Sequence, residues 1–355
     1  MSHIVAVVRL IGMSSVIVIG GGYAGLMTAN RALVRGHRVT LLTDRDRFVD
    51  RIRLHEVIAG TRTPTGATHP YRLGRGGTLV VGRATRVGEG GAQLDDGRDL
   101  EADHIALATG SGSGAGGWAW AVTHRDAVAA LRPGGRVVVR GGGFTGIEVA
   151  TEIADARPDL RVTLVDPRDA GSCFSPRGRQ RLDVALERLR VERATTDVDH
   201  DHAIDCTGLT ADSLAAGSGL PVDERGAVEV DEHLRVRGTT RVWAVGDAAR
   251  VRSQPHLRMA CATAEPMGLH LADQLGHLDR GERLEPFTLG YAMWCLSLGR
   301  RDGLIEYVRR DDTPTDRILT GRAAAVVKEL VCRGAVIAPM RLSRFYRGLE
   351  GPRER

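Results

Sequence analysis

The chain has 355 residues, room for about two or three domains, and 42% of them are hydrophobic, as in an ordinary globular protein. The net charge of +5 is modest at this length, and aromatic residues at 4% leave stacked-base recognition of nucleic acid without support. Five cysteines (Cys173, Cys206, Cys261, Cys295 and Cys332) include no C-x-x-C or similarly close pair, which argues against a zinc site or a local redox disulfide and fits a reducing, cytoplasmic compartment.

Met1 to Gly12 reads as an N-terminal extension, with Met13 opening the folded chain. The apolar stretch Ile4 to Gly20 is broken by Arg9 and runs into a glycine-rich turn without a cleavage region, unlike a signal peptide. Ser15 to Gly20 (SVIVIG) is a short apolar run, as expected of a buried parallel strand. Gly20, Gly22 and Gly25 follow, then a helix to about Arg35, ended by Gly36, and a strand over Arg38 to Leu42. A looser region covers Asp44 to Gly74. Alternation over Thr78 to Leu107 around Asp96-Gly97 predicts an antiparallel meander, ending at Ala108-Thr109-Gly110.

Ser111 to Gly117 (SGSGAGG) reads as a crossover. Arg136 to Arg140 (RVVVR) restarts the pattern with Gly141, Gly143 and Gly146, a helix to about Ala156, and a strand over Val162 to Val165. The two units are internal repeats of one βαβ element. A closing strand ends at Cys206-Thr207-Gly208, residues 209 to 240 are turn-rich, and Val242 to Val245 is a strand ending at Gly246-Asp247. A helix is predicted over Ala260 to Leu275, and strands with one amphipathic helix (Arg322 to Leu330) beyond it. No run reaches about 18 apolar residues, so no membrane span is expected. The predicted class is α/β, with two Rossmann-like domains. A dinucleotide domain over 13–112 and 209–282 is interrupted by a second over 113–208, and a small α+β region covers 283–355.

In Gly20-x-Gly22-x-x-Gly25 the first glycine makes a tight turn, the second admits a pyrophosphate, and the third lets helix and strand pack closely. The phosphates sit at the positive helix N-terminus. Aligning VTLL-Thr43 with VTLV-Asp166 places Thr43 at the usual ribose-binding position. Asp44 follows one residue later, facing the other way if the strand continues. The second fingerprint, Gly141-x-Gly143-x-x-Gly146, has Asp166 at its strand end. Two such units with Gly246-Asp247 point to two dinucleotides, one held tightly and one exchanging. Asp166 would accept a ribose 2′-hydroxyl and repel a 2′-phosphate, favouring NADH over NADPH, although Arg168 stands close by.

These motifs resemble the two-dinucleotide-domain flavoproteins that include the pyridine nucleotide-disulfide oxidoreductases. GGGFTGIE (Gly141 to Glu148) and Leu54-His55-Glu56 are similar to type II NADH dehydrogenases and apoptosis-inducing-factor-like proteins. The resemblance implies that the first unit binds FAD, through Gly20, Gly22, Tyr23, Ala24, Gly25, Thr43, Asp44, Arg45 and Ala84. Ala108, Thr109, Gly110 and Ala264 would lie along the flavin, and Gly246 and Asp247 at its ribityl and phosphate region. It assigns NAD(P)H to Gly141, Gly143, Phe144, Thr145, Gly146, Asp166 and Gly208. Glu148 would stand near nicotinamide and flavin as the candidate catalytic group, orienting the carboxamide or relaying a proton.

The chain departs from that pattern in lacking a cysteine pair beside the flavin, and Cys261 to Gly268 (CATAEPMG) has no glutamine where quinone-reducing relatives carry them. The expected activity is FAD-dependent NAD(P)H oxidation with a quinone or other small-molecule acceptor. A flavin-binding regulatory protein, or a reductase serving a protein partner, is the alternative. The C-terminal region is expected to wall the flavin pocket and is the candidate for a homodimer or a weak membrane-surface contact, at the inner face of the membrane. Asp199, His200, Asp201 and His202 would alternate in direction if extended, so no metal site is expected there. His55 reads as a structural histidine, with a place near the flavin as the alternative, and Cys206 and Cys295 as small buried residues.

Overall fold

A computed structural model of the chain describes residues 14–111 and 117–345. The extension Met1 to Gly12 with Met13, the middle of the Ser111 to Gly117 crossover and the tail from residue 346 lie outside the described residues.

Two separate parallel sheets organise the molecule. The first has five strands in the order Val242–Ala244, His104–Leu107, Ser15–Ile19, Arg38–Thr43 and Gly77–Val81. Its central strand is buried from Val16 to Ile19, the burial expected where helices cover both faces. The second has four, in the order Glu192–Ala194, Arg161–Val165, Arg136–Arg140 and His202–Asp205. The sheets repeat each other closely. Gly20 N–H donates to the Leu42 carbonyl at 2.8 Å, as Gly141 N–H does to Val165 at 2.8 Å. Ala108 N–H donates to Ile19 and Cys206 N–H to Arg140, again both at 2.8 Å. Thr43 and Asp166, one residue beyond Leu42 and Val165, are therefore equivalent positions.

The stretch read as one meander is divided. Ala84–Gly88, Gly91–Leu94 and Asp99–Leu100 form a three-stranded antiparallel sheet, with Gly97 at a positive φ of 85° in the turn. Gly77–Val81 and His104–Leu107 belong to the parallel sheet instead. Period-2 alternation does not distinguish an outward-facing edge strand from a meander strand.

Beyond the helix Cys261–Asp279, three antiparallel strands (Met293–Ser297, Gly303–Val308 and Pro314–Thr320) lead into the helix Gly321–Ile337. That helix is longer than the stretch read from sequence. One hydrophobic cluster surrounds the first sheet, and a second joins the other sheet to the short helix Leu54–Ile58 and to the C-terminal strands through Trp294, Leu296 and Leu304. No helix among the described residues is long and apolar enough to cross a membrane.

Candidate active site

Both glycine turns have the geometry their spacing requires. Gly20 holds φ at 110°, and a Cβ there would lie 2.2 Å from the Ala108 carbonyl oxygen. A Cβ on Gly25 would lie 1.8 Å from the Gly20 oxygen, while one on Gly22 would meet nothing within 4 Å. The second turn matches: Gly141 sits at φ 104°, a Cβ on Gly146 would lie 1.8 Å from the Gly141 oxygen, and Gly143 faces open space. The helices Tyr23–Arg35 and Phe144–Ala156 start at Gly22 and Gly143 with no side-chain cap. Each therefore directs unsatisfied N–H groups and a positive dipole end at its turn, the arrangement that receives an anion.

A cavity of about 940 Å³ opens on the first turn and runs to the C-terminal helix. Gly20, Gly22, Tyr23, Ala24, Thr43, Asp44, Arg45 and Ala84 line it, and so do Ala108, Thr109, Gly110, Asp247 and Ala264. From the second unit Phe144, Thr145 and Glu148 reach it. Gly25, Gly246, Gly141, Gly143, Gly146, Asp166 and Gly208 lie outside its lining. Thr43 is buried, its hydroxyl 3.3 Å from that of Tyr71, which itself donates to the Gly21 carbonyl at 3.1 Å. Asp44 is exposed at the rim, 3.7 Å from Arg45. Asp247 accepts a hydrogen bond from the Ser111 hydroxyl at 3.1 Å, and burial raises its carboxyl, offset in part by Arg51.

The far end of the cavity is charged. Glu148 accepts from Lys328 Nζ at 2.9 Å and from the Ser297 N–H at 2.9 Å, and Lys328 also donates to the Cys295 carbonyl at 3.0 Å. Burial works against the Glu148 carboxylate, but Lys328 and His55 outweigh it and hold the group below its ordinary range. Lys328 is likewise penalised by burial and raised overall by Glu148. His55 lies beside them, Nδ1 3.8 Å from Glu148 Oε2, and burial keeps its imidazole below the usual value despite both neighbouring carboxylates. His55 lines the cavity.

Lys328 escaped the motif reading although composition singles it out as the only lysine in the chain. Arg258 escaped it too. Its guanidinium lies 4.7 Å from the Tyr291 ring centroid and 5.8 Å from that of Trp294, and it pairs with Asp312. No local motif marks either residue, because both are placed by long-range packing of the C-terminal region.

Asp166 ends its strand with both oxygens engaged by backbone, accepting from Gly142 N–H at 2.7 Å and Arg168 N–H at 2.8 Å. The acidic and histidine run disperses: Asp199 and Asp201 both meet Arg136, and His202 bonds His124 at 2.9 Å. Cys206 and Cys295 are only partly buried, and Cys295 lines the cavity.

Two repeated dinucleotide folds converging on one cavity define a two-nucleotide oxidoreductase architecture. The profile of the pyridine nucleotide-disulphide oxidoreductases matches residues 14–196 and 177–268. The chain belongs to that family and is an oxidoreductase of pyridine nucleotides. It is similar to ferroptosis suppressor protein 1 of Taeniopygia guttata, 25% identical over 341 residues that cover 82% of this chain and 88% of that protein. Among solved structures, sulfide:quinone oxidoreductase from Aquifex aeolicus superposes with a TM-score of 0.75 at 15% identity, covering 92% of this chain and 91% of the other. NDH2 from Plasmodium falciparum in complex with NADH gives a TM-score of 0.74 at 15% identity, covering 94% and 98%. At that identity the two structural likenesses show the fold.

Proposed function

We propose that the protein is an FAD-dependent NAD(P)H oxidoreductase that passes electrons to a quinone or other small-molecule acceptor, without a redox disulfide. The observation that carries this is the shared cavity, where the uncapped first turn and the Glu148–Lys328 pair from two other parts of the chain face one space. Gly22 leaves room for a pyrophosphate, Thr43 and Asp44 stand where the adenosine ribose would lie, and Asp247 offers a half-buried carboxyl group for ribityl hydroxyls. FAD, when bound, supplies the two-electron acceptor for a hydride. The second turn and Asp166 bind the nicotinamide dinucleotide, NADH in preference to NADPH, because a 2′-phosphate would approach a carboxylate.

Glu148 is fixed by Lys328 and the Ser297 N–H and stays ionised at neutral pH. It can accept a carboxamide N–H or a proton at Oε2, the oxygen facing His55. Arg258, Tyr291 and Trp294 wall the same space. On this reading 13–112 with 209–282 would hold FAD and 113–208 NAD(P)H, with 283–355 as the C-terminal region. Weak membrane contact is assigned to the last helix and the turn after it, where Val326, Leu330, Ile337, Leu342 and Phe345 are exposed among arginines. Flavin released from the purified protein, identified by mass, should be FAD at about one per chain. FMN, or no flavin after reconstitution, would overturn the assignment.

A further inference from the structure

His55 is fully enclosed and its two ring nitrogens face two different carboxylates. Nδ1 is 3.8 Å from Glu148 Oε2 at the cavity, and Nε2 is 4.0 Å from Glu56 Oε1 on the other side. Nε2 has no hydrogen-bond partner, an expensive condition for a buried polar atom. A group held this way only for packing would cost less as a leucine or methionine. Glu56 leads outward: Arg53 and Arg300 hold its Oε1 at 3.0 and 3.2 Å, and Arg62 holds Oε2 at 2.5 Å, with Arg62 and Arg300 both partly exposed. Glu152, one helical turn beyond Glu148, shares Arg300 at 2.5 Å, and burial raises its carboxyl, whereas His55 and the surrounding arginines hold Glu56 below its ordinary range against the effect of burial.

We infer that His55 relays protons between the Glu56 side of this cluster and Glu148, supplying the cavity from solvent. This rests on reading the cavity as the FAD site. The balance requires one proton from water. NADH delivers a hydride, two electrons and one proton, whereas a two-electron acceptor A leaves as AH2. The sum is NADH + H⁺ + A → NAD⁺ + AH2, so one proton per turnover enters from water. The imidazole takes it at Nε2 and releases the other at Nδ1 to Glu148, which passes it to the acceptor. The two gaps are longer than hydrogen bonds, and an approach of about 1 Å closes either one; catalytic hydrogen bonds are often long before substrates bind. The charged groups facing His55 are Glu148, Glu56, Lys328 and Arg300; the carboxylates raise its affinity for a proton and the cations lower it.

Two measurements test this. In the flavin-free protein, the His55 resonance, assigned by its loss in His55→Gln, should titrate at lower pH in both Glu56→Gln and Glu148→Gln, because each carboxylate favours the protonated ring. If only one substitution moves it, the imidazole does not bridge the two and the relay is wrong. In the loaded enzyme, NADH turnover is compared with ferricyanide, which takes electrons alone, and with dichlorophenolindophenol, which also takes protons. The dye-to-ferricyanide rate ratio should fall about tenfold or more in His55→Gln and in Glu56→Gln, with a larger solvent isotope effect on the dye reaction. An unchanged ratio in both variants overturns the inference. If instead the wild type fails to reduce ferricyanide with NADH, the FAD reading itself has failed, and the resonance titration still decides whether His55 bridges the carboxylates.

Discussion

Replacing Lys328 with methionine removes the cation that keeps Glu148 ionised while leaving the volume nearly unchanged. Both side chains of the pair are largely buried, at 13% and 11% exposure. Breaking such a pair from one side typically costs about 3–5 kcal/mol, because the remaining charge loses its partner. At roughly 2 °C per kcal/mol for a chain of this size, the melting temperature should fall by about 6–10 °C at neutral pH. The pH dependence carries the sharper test. In the wild type Glu148 sits below the ordinary carboxylate value, so its contribution is complete above that value and lost only as pH falls through the depressed one. In Lys328→Met, burial dominates and raises Glu148, so stability is lost as pH rises through the ordinary value. The deficit against wild type should therefore be small near pH 5 and grow toward pH 8.

Thermal unfolding by circular dichroism with excess FAD at pH 5, 6, 7 and 8 measures this deficit. Adding Glu148→Gln to Lys328→Met should recover part of the loss, since it removes the stranded charge. A deficit that does not vary with pH, or strictly additive losses in the double variant, would refute the reasoning.

Gly22→Ala and Gly25→Ala separate cofactor room from packing. The first should fold with a near-normal melting temperature and lose flavin absorbance, because only ligand space meets its methyl. The second should fold poorly, because its methyl would overlap the Gly20 carbonyl. Asp166→Ala should narrow the ratio of kcat/KM for NADH over NADPH by about tenfold, and a wild type that uses both donors equally would contradict the assigned preference. Leu330→Glu with Phe345→Glu should reduce flotation with vesicles of anionic lipid without altering turnover of a soluble dye. Undiminished flotation would place any membrane contact elsewhere.

The glycine turns and both βαβ units were legible in the sequence because their constraints are local. A positive φ at Gly20 and the close approach at Gly25 admit essentially one residue type, at fixed spacing. The equivalence of Thr43 with Asp166 was legible for the same reason. The meander was misread because strand partners are chosen across the chain: Gly77–Val81 pairs with Arg38–Thr43, which alternation alone does not reveal. The charged end of the cavity was half legible. Glu148 follows its motif, but its partner stands 180 residues later on a helix whose pattern speaks only of amphipathicity. Lys328 was marked by composition, as a lone lysine, and by nothing around it. His55 and Glu56 were visible side by side on one short helix, but not that Glu148, on the helix Phe144–Ala156, packs against the same imidazole.

Whether one cavity joins a flavin to a nicotinamide donor is tested most directly by an anaerobic titration. Purified protein loaded with FAD and titrated with NADH in the absence of oxygen should lose its absorbance near 450 nm (the ordinary flavin band), with an end point of about one NADH per flavin. The proposed absence of a redox disulfide is tested in the same step: Cys261, Cys295 and Cys332 line the cavity as free thiols, and a second NADH consumed per flavin would contradict it. Readmitting an acceptor should restore the band. An unbleached spectrum at several equivalents of both NADH and NADPH would contradict the central claim.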